Sequence, residues 1–97
     1  MAKFVTLYKL TDQGIRNIKN APARIRQATA VWEATGGKLL AIYSTLGPYD
    51  YVTISESEDD EAAAAFSLGV GALGNVTTLT MRAFDIEEFE RIVDKVP

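Results

Sequence analysis

The sequence predicts an α+β fold in which four antiparallel strands form one sheet and two helices pack across it. Two observations carry this. The patterns alternate as strand, helix, strand, strand, helix, strand, and the connections between them are short. A chain of 97 residues, 47% hydrophobic and 24% charged, is expected to form a single domain, 1–97, around one modest core.

The first strand is read at 3–10, "KFVTLYKL", where β-branched and aromatic residues alternate with polar ones. "TDQG" breaks that pattern. A short helical turn at 14–19 follows, and then a longer helix capped at Asn20, with Pro22 tolerated in its first turn. Ile25, Ala28, Thr29 and Trp32 form its buried stripe, and Gly36-Gly37 ends it. Strands at 38–46 and 49–56 make a hairpin around Gly47-Pro48. The acidic run from Glu58 to Glu61 opens the second main helix, where carboxylates complement the exposed N–H groups. Read instead as a metal cluster it fails, because adjacent carboxylates on a helix diverge. The fourth strand is 75–84. Asp85 and Glu88 then have capping-box spacing, Phe84 and Phe89 sit at the staple positions, and Phe89, Ile92, Val93 and Val96 give a last helix its apolar stripe. Short connections and right-handed crossovers favour a ferredoxin-like βαββαβ arrangement with a C-terminal helix, the first and third strands central.

Composition excludes more than it assigns. Cysteine and histidine are absent, which removes disulfides, thiolate zinc sites, cysteine nucleophiles and imidazole bases. No metal and no cofactor are expected. A net charge of -3 offers no footprint for nucleic acid, and no apolar run is long enough for a membrane span or a signal sequence, so a cytoplasmic protein is expected. "GVGALG" at 69–74 has the letters of a dinucleotide fingerprint in the wrong setting. A strand must precede that motif and a helix follow it, whereas here the order is reversed, and a helix cap with a turn is expected.

Alternation divides the strands into two faces. Val5, Leu7, Val52, Ile54, Leu79 and Met81 are expected under the helices. Phe4, Thr6, Tyr8, Tyr43, Thr45, Tyr51, Thr53, Thr78, Thr80 and Arg82 are expected on the uncovered face, which is too apolar to stand in free solvent and predicts self-association into a dimeric α/β barrel. Asp50 is expected to point to the helix side near Gly36-Gly37, the 69–74 loop, Asn75 and Arg82. There its carboxylate takes hydrogen bonds from unpaired loop N–H groups or pairs with a basic residue, and a ligand or proton-transfer role is the alternative.

"TDQGIRNIKNAPAR" (11–24), "GGKLLAIYSTLGPYDYV" (36–52), "DDEAAAAFSLGVGALGNVTTLTMRAF" (59–84) and "EEF" (87–89) together resemble the GYD domain family of small bacterial and archaeal proteins. The resemblance implies a ferredoxin-like, dimeric α/β-barrel fold. It places the G-x-Y-D element on Gly47, Tyr49 and Asp50, and a G-N-V element on Gly74, Asn75 and Val76. The leading expectation is a homo-oligomer, associating through its sheet face, that binds a small metabolite between sheet and partner. Tyr8, Tyr51, Thr80 and Arg82 would line that site, with Arg82 on an anionic group. The alternatives are a cofactor-free isomerase or monooxygenase with Asp50 or a tyrosine as acid/base, and a purely structural assembly module.

Overall fold

The computed structural model describes Met1–Pro97. β1 (Ala2–Leu10), β2 (Lys38–Ser44), β3 (Tyr51–Ser57) and β4 (Val76–Ala83) form one antiparallel sheet in the order β2-β3-β1-β4. The helices are α1 (Asp12–Arg16), a 3₁₀ turn (Ile18–Asn20), α2 (Ala21–Ala34), α3 (Asp60–Ala72) and α4 (Ile86–Val93). This is the expected ferredoxin-like α+β layering, with β1 and β3 central.

Local chemistry explains the helix ends. The Thr11 hydroxyl accepts from the Gly14 N–H, starting α1 two residues before the expected turn. Asn20 stands at the N-cap of α2 without a side-chain capping bond. Gly36, at φ 94°, closes that helix in the left-handed conformation. Asp59 caps α3 by accepting from the Ala62 N–H at 3.0 Å. α3 then continues through Gly69 and Gly71, so "GVGALG" is largely helix and only Gly74, at φ 83°, turns the chain. The Asp85–Glu88 capping box of α4 is complete in both directions.

The division of the strands into faces holds for β1, β3 and β4, but the helices cover the opposite face from the one expected. Phe4, Thr6, Thr53 and Ser55 are buried, whereas Ile54 (37% exposed), Leu79 (47%) and Met81 (42%) lie open on the other face beside half-buried Val5, Leu7 and Val52. The reason is size. α2 and α3 present Ala21, Ala28 and Ala63 beside Trp32 and Phe66, and small helix residues leave room for the large aromatic rings of the sheet. Phe4, Trp32 and Ala63 form the buried cluster, and Trp32 meets Phe66 at a centroid separation of 5.1 Å.

Tyr43 leaves the aromatic set altogether. Between Leu39, paired with Ser55, and Ala41, paired with Ile54, β2 carries one extra residue, Leu40. This bulge puts Tyr43 opposite Val52 on the open face and swings Ile42 toward the helices. α4 remains bare: every residue in it except Glu88 is exposed.

Candidate functional site

The end of β1 lies between the starts of β3 and β4, where the two glycine motifs converge. Asp50 donates its own N–H to the Tyr8 carbonyl at 2.8 Å and accepts from the Leu10 N–H through Oδ2 at 2.8 Å. Its carbonyl receives the Thr45 N–H, and the Thr45 hydroxyl donates to the Tyr49 carbonyl, so the 45–50 loop closes on itself around Gly47 at φ 104°. On the other side of β1, the Thr11 N–H donates to the Asn75 carbonyl and the Thr11 hydroxyl to the Gly74 carbonyl. Gln13 adds bonds to the Leu73 carbonyl and to Asn75 Oδ1. Gly14 is needed here, because a β-carbon would run into the Asn75 carbonyl.

The expected neighbours of Asp50 are therefore half right. Asn75 and Gly74 share its end of the sheet through β1, while Gly36-Gly37 and Arg82 lie at the opposite end, since Lys38 pairs with Glu56 and Arg82 with Phe4. β3 begins where β4 also begins, not where β4 ends. Arg82 stands over the Phe84 ring at 4.5 Å, lies 3.9 Å from Glu88 and donates to the Ala83 carbonyl. It braces the entry to α4 and does not belong with Tyr8 and Tyr51.

Tyr8, Tyr51 and Thr80 do come together, between the sheet and the helices rather than on the open face. They line a cavity of about 130 Å³ with Thr6, Thr53, Trp32 and Phe66, and Arg24 of α2 supplies the cation that Arg82 does not. Tyr8 and Tyr51 are cross-strand partners in edge contact at 6.4 Å. Thr80 shares hydrogen bonds with Thr6 and Ser67, at 3.2 and 3.3 Å. Two buried polar atoms have no partner, Tyr51 Oη and Trp32 Nε1. Each such atom costs about 1–3 kcal/mol when left unpaired. Burial raises the Tyr51 pKa above its ordinary value; Arg24 opposes the shift and Asp50 adds to it. Arg24 escaped the sequence reading, although it lies four residues before Ala28 on the stripe that faces the sheet.

No group of three or more acidic side chains converges, and no helix is long and apolar enough to cross a membrane. The family model described as "GYD domain" matches residues 4–93. The chain belongs to the GYD domain family. A Thermus thermophilus relative, "Glutamine synthetase and cystathionine beta-lyase binding protein", is 34% identical over 89 residues, covering 91% of this chain and 94% of its own. The crystal structure of TTHA0845, also from Thermus thermophilus, superposes with a TM-score of 0.55 at 22% identity, over 88% of this chain and 95% of that one. That likeness supports the shared fold. In this GYD domain both motif elements, Gly47-x-Tyr49-Asp50 and Gly74-Asn75-Val76, tie their strands to the end of β1.

Proposed function

We infer that this GYD domain is a small association module: two copies pair through the bare side of the sheet, and the assembly docks on a larger metabolic enzyme. One observation carries the reading, the open aliphatic face of Val5, Leu7, Val52, Ile54, Leu79 and Met81. The accessible surface is 6724 Å², whereas a compact monomer of 10.6 kDa exposes about 5,500 Å². The excess of about 1,200 Å² exceeds the roughly 800 Å² per partner of a standard interface. α4 supplies a second apolar surface in Phe89, Ile92 and Val93. The name of the Thermus relative supports an enzyme as the larger partner.

The middle of that face, on β1, β3 and β4, is aliphatic with Tyr43 beside it on β2, whereas Tyr8, Tyr51 and Thr80, expected to line a small-molecule site between the subunits, lie beneath the helices, so that site draws less support. A cofactor-free enzyme with Asp50 as acid/base draws none from a carboxylate already engaged by a main-chain donor.

Sedimentation velocity tests the pairing. The wild type is expected to be a dimer at micromolar concentration and Ile54→Glu a folded monomer; a strictly monomeric wild type overturns the pairing. Biosensor binding to purified glutamine synthetase and cystathionine β-lyase tests the docking. Saturable binding to either enzyme, weakened by Phe89→Asp, is expected; binding to neither, or binding indifferent to that substitution, removes the docking half.

A further inference from the structure

The cavity beneath α2 has a composition that selects its guest. Its wall is mostly hydrophobic, with Trp32, Phe66 and Ile25 among its members, and Thr6, Thr53 and Thr80 contribute hydroxyls from the sheet. Arg24 is the one charged residue of the lining, and no aspartate or glutamate belongs to it. Its guanidinium donates through one nitrogen to the Asn17 carbonyl at 2.8 Å and through the other to the Gly14 carbonyl at 3.5 Å, which leaves donors of its five free. Tyr51 Oη, within the same lining, is buried with no acceptor.

We propose that this cavity binds a small monocarboxylate with an aromatic or branched apolar body, its carboxylate held by Arg24 and the Tyr51 hydroxyl. The apolar wall takes the body of the guest, and a volume of about 130 Å³ is close to the roughly 150 Å³ of an apolar cavity that holds one benzene ring. The cation and the unpaired hydroxyl together match a carboxylate, which accepts from both. A free amino acid fits worse. Its ammonium would enter a lining with no acidic group to pair it, and burying an unpaired charge is costly. The site lies inside one protomer, so it does not rest on the pairing or docking proposed above.

Benzoate is the probe, with benzyl alcohol and L-phenylalanine as its uncharged and zwitterionic counterparts. Trp32, the single tryptophan of the chain, lies in the lining and reports binding by its fluorescence, with calorimetry as the second readout. Benzoate is expected to bind saturably and more tightly than either counterpart. Arg24→Gln weakens benzoate about tenfold or more while leaving benzyl alcohol unchanged, and Ala28→Leu, which fills the cavity from α2, abolishes binding of both. Circular dichroism of both variants separates lost binding from lost fold. The proposal is overturned if the wild type shows no saturable response below about 10 mM, if L-phenylalanine binds as well as benzoate, if Arg24→Gln weakens benzoate and benzyl alcohol alike, or if folded Ala28→Leu still binds benzoate.

Discussion

The Asp50 carboxylate accepts the Leu10 N–H at 2.8 Å, joining the first residue before β3 to the last residue of β1. That N–H lies beyond the β1–β3 register, which ends at Tyr8 and Tyr51, so the side chain extends the pairing where the strand itself has stopped. Asp50→Ala strands a half-buried donor and is expected to cost about 1–3 kcal/mol. Asp50→Asn keeps an acceptor oxygen and should cost distinctly less. Chemical denaturation of both variants against wild type measures the order, and an unchanged Asp50→Ala would remove the clamp.

Gly71 sits inside α3, with open space where a β-carbon would go and no positive φ. Gly71→Ala is therefore expected to stabilise the protein by about 0.5–1 kcal/mol through helix propensity and unfolded-state entropy. Neither variant nor wild type should bind NAD or ATP in calorimetry, because a helix, not a strand, leads into the glycines.

Gly14→Ala has the opposite sign. The added methyl meets the Asn75 main chain and Leu10 Cδ2, the former unable to swing aside as a flexible side chain can. A loss of about 1–3 kcal/mol is expected from overpacking. Thermal unfolding tests it, and a neutral result would show that the 73–75 segment yields.

The raised pKa of Tyr51 makes stability depend on alkaline pH. The unfolded phenol loses its proton near 10.0 while the native one still holds it, so raising the pH through that range draws the equilibrium toward the unfolded chain. This contribution is complete below 10.0 and is lost as pH climbs through the native value. Wild type should lose stability relative to Tyr51→Phe across that interval, as read by denaturant titration at stepped pH. Parallel curves would place the native phenol in water.

Local signals in the chain were sufficient for the main elements and for the cap of α4, whereas the cap expected at Asn20 makes no side-chain bond and Thr11 begins α1 ahead of the expected turn. The Asp85–Glu88 spacing foretold its box, and alternation separated Thr6, Thr53 and Thr80 from Val5, Ile54 and Met81. Period two sorts residues into two sets without saying which set the helices cover. That was decided by the alanines of α2 and α3, whose small size accommodates Phe4 and the Tyr8–Tyr51 pair. Arg24 takes the place expected for Arg82 for two separate reasons: the covered face meets α2, which brings Arg24, and the register pairs Arg82 with Phe4 at the far end of the sheet, where Phe84 and Glu88 hold it. The displacement of Tyr43 had no warning in sequence, since Leu40 is neither a glycine nor a residue that otherwise announces a bulge.

That extra leucine makes β2 one residue longer than its span requires. Leu39 and Ala41 already face consecutive residues of β3, Ser55 and Ile54, so excising Leu40 joins two segments whose registers agree. Excising Ile42 instead removes a large inward side chain, and its position opposite Thr53 passes either to Tyr43, with Ser44 shifted after it, or to Ala41 as the bulge closes. A length change of one residue is thus nearly neutral at position 40 and disruptive two positions later, and relatives of this chain can differ in length at that point without exchanging the chemistry of the two sides of the sheet.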